Sequence, residues 1–401
     1  MLEESYNVEM GWVGGEEFKE LVDEAFFWFS NAVPLKVVKE RLAGRGLRGE
    51  QIALIVDVAR TRFKAKEKFT RWKDLFFTPA GLRWATPEEV GEALQRRIGE
   101  HTMLDVGCGQ GGQLIHRKGV DSIGVDIDPL NVALARHNLQ AYGADAELVV
   151  GDGLDNDVVE KFGWVEVVFS DPYRGPSAPL RRLEDLSPSP LKIMKRYGEG
   201  RTGFVFEVPP YIDPKRIPFD AELEFISFRG RYNRLNLLTG GLKRWARSVL
   251  ILPDGLRIAA DEPFSPPPPE TDPLSREFGI YLYEVDPALA RSGLLGEALG
   301  RVKGEFYLVE RGRRTLLTSD SSTASPIFRR RYRVLRRVRS LPEVRRAMEE
   351  ENFSKASLRF SLDPREYWRV RRSLEEGLPP GGEKATIFKL NGIYLLTVLE
   401  V

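Results

Sequence analysis

Four aspartates follow four successive apolar runs in the middle of the chain, and their positions predict a shared cleft. The runs are TMLDVG, SIGVDI, AELVVGD and VEVVFSD, and the acids are Asp105, Asp126, Asp152 and Asp171. If the runs are parallel strands, their carboxyl ends open onto one crevice. Carboxylates there would accept hydrogen bonds from hydroxyl and amino groups of a ligand. One such Asp alone could be a turn residue or a helix N-cap, as we interpret Asp128; the set of four predicts a site.

The last of these acids opens the segment DPYR, in which Asp171, Pro172, Tyr173 and Arg174 follow one another. The carboxylate and the proline carbonyl supply hydrogen-bond acceptors, and the tyrosine ring offers a face for stacking. A second segment, FEVPPYID at residues 206–213, also leaves an apolar run with prolines and a tyrosine. Only one of the two corners can carry the chemistry.

The composition excludes several kinds of site and compartment. Cys108 is the only cysteine, so disulfide frameworks and multi-cysteine metal sites are excluded. The three histidines have no metal-ligand spacing, and we expect no metal. No run of 18 uncharged apolar residues occurs, and the opening residues do not resemble a secretory signal. We therefore expect a soluble, cytoplasmic protein.

The elements that would position the acids follow from the pattern of apolar residues. Residues 16 to about 70 have apolar positions at helical spacing, which predicts a small helical domain, and another helix is predicted over 87–98. From His101 to Leu252, short apolar runs alternate with helical or loop segments. This alternation predicts an α/β, Rossmann-like parallel sheet with helices on both faces.

The rest of the chain has a different texture. The stretch FSPPPPETDP, residues 264–273, is expected to be a semi-rigid linker. Beyond it, strand and helix patterns predict one or two compact α+β modules. The final segment predicts a hairpin with Asn391 and Gly392 at its tip.

A glycine-rich loop, MLDVGCGQGGQ at residues 103–113, follows the first predicted strand. Its glycines would let the backbone turn sharply and approach a ligand, and the helix expected after it would add its amide-rich N-terminus. The loop departs from the dinucleotide pattern G-x-G-x-x-G, and an acid precedes its glycines. Together with the later acids, it resembles class I S-adenosylmethionine-dependent methyltransferases over residues 100 to about 252. The cofactor-binding residues that the resemblance implies are Asp105, Gly107, Gly109 and Gly111 for the methionine part, Asp126 and Ile127 for the ribose, and Asp152 and Gly153 for the adenine.

Segments outside this region extend the resemblance over most of the chain. They are FFTPAGLRWATPEEVGEAL, RRLEDLSPSP, GIYLYEVDPALARSG, LLTSD and ENFSKASLR. They resemble a methyltransferase family with a helical N-terminal region, a ferredoxin-like module and a THUMP-like C-terminal domain. The domains this implies are a helical domain at 1–85, a class I methyltransferase domain at 86–263, a ferredoxin-like α+β module at 274–340 and a THUMP-like RNA-binding module at 341–401.

The same resemblance selects the catalytic corner and limits the chemistry. The fourth strand end lies beside the cofactor's sulfonium in this fold class, which favours Asp171, Pro172 and Tyr173 as catalytic residues over residues 206–213. Relatives often carry D-P-A-R-R where this chain has DPYR. Methylation at carbon 5 of a pyrimidine needs a cysteine nucleophile, and Cys108 lies in the wrong place. An exocyclic amine instead needs acceptors for its hydrogens, which Asp171 and the Pro172 carbonyl would supply.

We therefore expect an S-adenosylmethionine-dependent RNA methyltransferase that acts on a base amine. The preferred substrate is cytidine N4 in ribosomal RNA. Guanine N2 and adenine N6, in transfer or ribosomal RNA, are alternatives, as is a small-molecule or protein substrate. A cofactor-binding RNA assembly factor without turnover is the non-enzymatic alternative.

The charge distribution favours RNA as a partner, with ribosomal RNA preferred over transfer RNA. Residues 328–346, FRRRYRVLRRVRSLPEVRR, carry nine arginines and one acid, Glu343. A solvated face in a charge-rich protein is the simpler interpretation, but such faces usually mix signs. Farther along, Trp368 stands among more arginines and is equally compatible with a core position. The residues predicted to contact RNA are Arg174, Arg329, Arg330, Arg331, Arg333, Arg336 and Arg337.

Overall fold

The computed structural model describes residues 6, 8–174, 182–198, 202–262, 278–312 and 314–400. The chain forms two compact units. The first comprises Met1–Glu224 and Arg234–Arg244, and the second comprises Phe225–Asn233 and Trp245–Val401. The predicted linker at 264–273 lies outside the described residues.

The N-terminal region of the first unit is helical, as predicted. Its helices are α1 (Glu16–Ser30), α2 (Leu35–Ala43), α3 (Gly49–Ala65), α4 (Pro79–Trp84) and α5 (Glu88–Ile98). Helix α1 buries Phe18, Leu21, Val22 and Ala25, which share one face at spacings of three and four residues. Helix α5 confirms the helix predicted over 87–98.

The remaining elements of this unit alternate between strands and helices. They are β1 (Met103–Val106), β2 (Ser122–Asp126), α6 (Pro129–Tyr142), β3 (Glu147–Val150), α7 (Asn156–Phe162), β4 (Val167–Ser170), β5 (Tyr173–Arg174), β6 (Leu186–Ser187), α8 (Pro190–Tyr197), β7 (Gly203–Val208), β8 (Glu222–Phe228) and β9 (Arg231–Leu238). The boundary between the units passes through β8 and β9.

The sheet of the first unit has the order β9-β7-β4-β1-β2-β3. Strands β3, β2, β1, β4 and β7 are parallel, and β9 is antiparallel to β7. The expected Rossmann-like α/β sheet is confirmed. Strand β9 was missed because its sequence, RYNRLNLL, mixes polar and apolar residues without a clean alternation.

The helical region packs onto this sheet unit through α6. The hydrophobic core of α1, α2 and α3 includes Leu130, Ala133 and Leu134 of α6. Helix α6 begins where Asp128 accepts a hydrogen bond from the Leu130 amide at 2.9 Å, and it ends at Gly143, whose φ is +63°. The interpretation of Asp128 as an N-cap is confirmed.

The expectation of a helix directly after the glycine-rich loop is wrong. A single 3-10 turn, Leu114–His116, follows the loop instead. The buried Arg117 then fixes the chain by donating to the Gly99 carbonyl at 3.0 Å and to the Ser122 hydroxyl at 2.9 Å. These contacts hold the chain between the 3-10 turn and β2 in a non-helical conformation.

The second unit carries most of the C-terminal strands. Its elements are β10 (Arg247–Leu252), β11 (Leu256–Ala260), β12 (Tyr281–Val285), α9 (Pro287–Ser292), α10 (Leu295–Leu299), β13 (Tyr307–Glu310), β14 (Leu316–Ser319), β15 (Phe328–Val338), α11 (Leu341–Glu350), β16 (Phe353–Leu358), α12 (Pro364–Glu375), β17 (Glu383–Leu390) and β18 (Ile393–Glu400). Within the described residues, one sheet has the order β13-β14-β12-β15-β18-β17-β16. Strands from both predicted C-terminal modules thus share a sheet, and the ferredoxin-like and THUMP-like descriptions stay predictions.

The predicted C-terminal hairpin is confirmed. Strands β17 and β18 are antiparallel, and Leu390 pairs with Ile393 next to the turn. Asn391 and Gly392 have φ values of +47° and +78°, as a two-residue hairpin turn requires. In the described part of the chain, none of the helices combines the length and the hydropathy that crossing a bilayer requires.

Candidate active site

The glycine-rich loop leaves β1 and borders open space. Gly107, Gly109 and Gly111 have φ values of +83°, +52° and +82°, a region that favours glycine. A Cβ on Gly109 would meet no described atom within 4 Å, whereas a Cβ on Gly111 would lie 2.8 Å from Leu139 Cδ1. Gly111 therefore lets the loop pack against α6, and Gly109 leaves room beside the loop.

Three of the predicted acids converge beside this loop. Asp105 on β1 is buried, and its Oδ1 has no hydrogen-bond partner among the described residues. Burial raises the pKa of Asp105 well above its ordinary value, and the charges of Asp171 and Asp126 raise it further. Asp126 Oδ2 accepts a hydrogen bond from the Gly109 amide at 2.8 Å. Asp105 is thus a buried acceptor that lacks a donor, at the base of an acidic cleft.

The residues predicted for the adenine side lie at the next strand ends. Asp126 pairs with Val150 in the register of β2 and β3, and Asp152 follows β3 with an exposed side chain. Asp152 Oδ1 accepts a hydrogen bond from the Leu154 amide at 2.8 Å. Ile127, directly after β2, is 74% exposed, which is unusual for an isoleucine and leaves an apolar surface at the strand ends.

Gly153 is held close to the first strand. A Cβ on Gly153 would lie 2.6 Å from Val106 Cγ1 on β1, so a side chain could not be accommodated without a shift. The Gly153 carbonyl accepts a hydrogen bond from the Tyr197 hydroxyl at 2.6 Å. The backbone of the loop after β3 is therefore fixed at the edge of the cleft.

Asp171 directly follows β4 and lies next to two cations. Its side chain is 43% exposed, and Asp171 Oδ2 is 3.9 Å from Arg234 Nη1. Desolvation raises the pKa of Asp171, whereas the charges of Arg234 and Lys68 oppose the rise. Pro172 is buried and Tyr173 is exposed. The side chain of Arg174 lies outside the described part of the structure.

The second candidate corner supplies a buried acid to the same site. Glu207 on β7 is buried beside β4, and its Oε2 contacts Arg234 Nη1. The same Arg234 nitrogen donates to Thr86 Oγ1 at 3.0 Å. Arg234 therefore links the ends of β4 and β7, which the sequence offered as alternative catalytic corners. Glu207 and Arg234 were both missed as site residues.

An exposed tryptophan, also missed, faces the catalytic corner. Trp84 at the end of α4 is 56% exposed, and its ring centroid lies 5.8 Å from that of Tyr173 with an interplanar angle of 87°. Lys68 Nζ holds this end of α4 by donating to the Leu82 and Ala85 carbonyls, both at 2.7 Å. Two partly exposed aromatic rings thus meet at Tyr173, two residues after Asp171.

Gln110 of the glycine-rich loop ties α4 to the cofactor region. Gln110 Oε1 accepts from the Thr78 amide at 3.0 Å, and Gln110 Nε2 donates to Thr78 Oγ1 at 2.9 Å. The Thr78 hydroxyl also caps α4 by accepting from the Gly81 amide at 3.0 Å. The position of Trp84 is therefore coupled to the conformation of the loop. In the sequence, only the segment FFTPAGLRWATPEE marked this region, and nothing in it assigned a role to Trp84.

The residues around the cleft fit S-adenosylmethionine. The unpartnered Asp105 Oδ1 suits a donor such as the ammonium of the methionine part. The open space beside Gly109 leaves room for it, and the exposed carboxylate of Asp152 is available to donors of the nucleoside. Among the described residues, no group of three His, Cys, Asp or Glu side chains is placed to hold a metal ion.

The arginine-rich segment is largely paired with acids from other elements. Its first part forms β15, and the ion pairs link Arg329 and Arg330 to Glu284, Arg331 and Arg333 to Glu400, and Arg336 to Glu351. Arg337 donates to the Phe278 and Gly279 carbonyls. These ion pairs therefore offset part of the positive charge that residues 328–346 carry. Trp368 on α12 is 64% exposed and is not a core residue.

Comparison with known proteins shows similarity to methyltransferases, and the matching family model lies in the first unit. A family model described as RNA cap guanine-N2 methyltransferase matches residues 100–194. A Mycobacterium tuberculosis protein, described as an uncharacterized S-adenosylmethionine-dependent methyltransferase, is 33% identical over 227 residues, which are 55% of this chain and 60% of that protein. Trimethylguanosine synthase of Schizosaccharomyces pombe is 32% identical over 123 residues, which are 27% of this chain and 52% of that protein. The chain thus spans between half and two thirds of these relatives.

The crystal structure of a candidate methyltransferase from Porphyromonas gingivalis W83 has the same fold. It matches with a TM-score of 0.69 at 17% identity, and the match covers 95% of this chain and 98% of that one. The first unit has the class I methyltransferase fold. Its cleft, at the carboxyl ends of β1, β2 and β4, is where such an open α/β sheet binds its ligand. The expected Rossmann-like methyltransferase fold is confirmed.

Proposed function

We propose that this protein is an S-adenosylmethionine-dependent methyltransferase that methylates the N2 amine of a guanine in RNA. The observation that supports it best is the catalytic corner. Asp171 is near enough to Asp105 for its charge to raise the pKa of that residue, and Tyr173, two residues after Asp171, lies against the ring of Trp84. A charged acceptor between a cofactor region and a stacking surface is what transfer to a base amine requires.

The roles of the protein groups follow from their chemistry. S-adenosylmethionine, when bound, supplies an electrophilic methyl group, and the base amine that receives it gives one proton to the Asp171 carboxylate. Asp171 accepts hydrogen bonds from the amine and directs its nitrogen toward the cofactor side of the cleft. The Pro172 carbonyl is a second acceptor. The charge of Arg234 favours the ionised carboxylate of Asp171, because it opposes the rise in pKa that desolvation causes.

Guanine suits this corner better than cytosine or adenine, which revises the preference for cytidine N4. Guanine presents N1–H and N2–H as adjacent donors, and an ionised carboxylate can accept from both. Cytosine and adenine place a ring acceptor next to their amine, and a carboxylate repels that acceptor. The match of residues 100–194 to a guanine-N2 family and the similarity to trimethylguanosine synthase support the same choice.

Labelled cofactor and total RNA test the proposal directly. The protein is incubated with both, the RNA is digested to nucleosides, and the labelled nucleoside is identified. We expect N2-methylguanosine. Label in N4-methylcytidine would restore the earlier preference, and label confined to protein or small molecules, or no label, would overturn RNA methylation.

Replacing Trp84 by alanine should weaken the use of RNA without affecting the cofactor. Stacking of a base on an aromatic ring contributes about 1–3 kcal/mol, so kcat/KM for RNA should fall by about 5- to 150-fold. Trp84→Phe should recover much of the loss because it keeps a ring face. Steady-state kinetics at varied RNA concentration, together with calorimetric titration of the cofactor, would measure both effects. Equal kinetics for Trp84→Ala and the wild type would exclude stacking on Trp84.

Alkaline pH should reduce activity through Lys68. The pKa of Lys68 is lowered to about 8, mainly by burial and in part by the charge of Arg234, while Asp171 opposes the shift. As the pH rises through about 8, the ammonium that holds the end of α4 loses a proton. We expect kcat/KM for RNA to decline there, and Lys68→Arg to move the decline to higher pH because arginine stays charged. Coincident pH profiles would show that Lys68 does not control the alkaline limb.

A further inference from the structure

The second unit contains a cleft of about 740 Å³ that the methyltransferase chemistry does not use. Four chain segments line it. They are the turn between β8 and β9, the turn between β10 and β11, Asp286 between β12 and α9, and residues 324–330 at the start of β15. The volume lies within the range of about 300–1,000 Å³ that is common for ligand sites.

Arginines dominate the charge of this cleft. Arg229 and Arg231 line it from the β8–β9 turn, and Arg329 and Arg330 line it from β15. The first pair precedes the second by about a hundred residues in the chain. The distribution of charge along the sequence therefore did not predict the cleft. Only the first two arginines of the predicted RNA-binding β15 set reach it.

Two acids line the cleft among the described residues. They are Asp254 and Asp286, and Asp286 is buried. Burial raises the pKa of Asp286, and its oxygens accept from the Ser227 hydroxyl at 2.5 Å and from the Ala288 amide at 2.9 Å. Arg329 and Arg330 share the carboxylate of Glu284, at 3.2 and 3.5 Å. Among the described residues that line the cleft, arginines therefore outnumber acids by four to two.

The backbone of the β8–β9 turn is strained at one of these arginines. Arg229 has a φ of +51°, and Gly230 has a φ of +68°. Two successive residues of this kind favour Asn-Gly or Gly-Gly, and an arginine is disfavoured in the first position. A backbone strained in this way tends to persist where the side chain has a function.

Gly230 also allows close packing between two walls. A Cβ on Gly230 would lie 3.1 Å from Arg329 Cγ, so the aliphatic part of Arg329 rests on the turn. The absence of a side chain at residue 230 therefore brings arginines of both walls onto one surface. Guanidinium groups bind phosphate oxygens through planar, forked hydrogen bonds, so several arginines on one surface suit a phosphate ligand.

We propose that this cleft binds the phosphodiester backbone of RNA. The lining is rich in guanidinium groups, and Phe328 is its one aromatic side chain. Such a lining suits contacts with phosphates, which position an RNA without reading its bases. The inference rests on the proposed function, because it assigns to the second unit the task of holding the RNA that the methyltransferase domain modifies.

The double variant Arg229→Gln/Arg231→Gln tests the cleft in the full-length protein. Its matched control is Arg60→Gln/Arg136→Gln, which removes two exposed arginines of helices α3 and α6. The probe is a single-stranded oligouridylate, and its affinity is measured over a series of salt concentrations. Each lost phosphate contact should reduce the slope of log K against log salt by about 0.7, so the cleft variant should lose about 1.4 and the control should not.

The possible results separate this inference from the proposed function. A reduced slope in the cleft variant alone, with cofactor affinity unchanged, supports the cleft even if the wild type transfers no methyl group to RNA. The same slope in both variants overturns the cleft, even if RNA is methylated. Binding of uridine monophosphate that depends on Arg229 and Arg231, with oligouridylate binding independent of them, would identify a small phosphate ligand and overturn the assignment to RNA.

Discussion

Asp171→Asn should reduce methyl transfer to RNA by about 10²- to 10⁴-fold while the protein keeps its affinity for S-adenosylmethionine. Asparagine has the same shape, but its amide presents a donor to the amine where the carboxylate offered only acceptors. The unfolding temperature should change little, because Arg234 keeps its contacts with Glu207 and Thr86. Single-turnover rates with saturating RNA and calorimetric titration of the cofactor would measure the two properties separately.

The pH profile adds a second signature to this variant. The activity of an ionised Asp171 declines as the pH falls through its pKa. Because that pKa is raised, the decline should begin at a higher pH than for an ordinary aspartate, and Asp171→Asn should abolish it. Tyr173→Phe is the matched control, because it keeps the ring face and should retain most of the activity. Full activity of Asp171→Asn would remove Asp171 from the mechanism and leave a non-catalytic RNA factor as the better account.

Asp105→Asn should weaken binding of S-adenosylmethionine by about 10- to 150-fold, which corresponds to about 1.5–3 kcal/mol for a hydrogen bond to a charged group. The Asp105 Oδ1 has no partner among the described residues. Burial raises the pKa of Asp105, and the charges of Asp171 and Asp126 raise it further. An ammonium placed beside it would lower that pKa, so cofactor binding should release protons and tighten as the pH rises.

Calorimetry in buffers of different ionisation enthalpy would count the protons released. Asp128→Asn is the matched control, because asparagine can still cap α6 and Asp128 contacts the Leu130 amide rather than the cleft. We expect it to bind the cofactor like the wild type. Unchanged affinity and proton release in Asp105→Asn would show that the cofactor does not use this carboxylate.

The parallel sheet could be predicted from the sequence because its signals are local. Short apolar runs that end in Asp105, Asp126 and Asp171 fix both the strands and the edge at which they open, and the structure brings these three acids together. The N-cap at Asp128 and the turn at Asn391 also depend on a few neighbouring residues, and both are confirmed.

The rest of the site depends on contacts between distant segments. Trp84 meets Tyr173 across some ninety residues of sequence, and Arg234 reaches Asp171 from a strand whose pattern gave no strand signal. The pairing of the arginine-rich segment is equally non-local, because its acids, such as Glu284 and Glu400, come from other strands. Periodicity and spacing describe one element at a time and carry no information on such pairs.

The hydrogen bonds between Gln110 and Thr78 have a consequence for how the two substrates influence each other. One amide side chain links the loop that would bind the cofactor to the helix that carries Trp84, so ordering either partner lowers the entropy that the other must lose. The resulting cooperativity is reciprocal. RNA should therefore increase the affinity for S-adenosylmethionine by the same factor by which the cofactor increases the affinity for RNA. The demethylated cofactor has the same nucleoside and amino acid parts. We therefore expect it to hold the RNA after transfer and to slow its release.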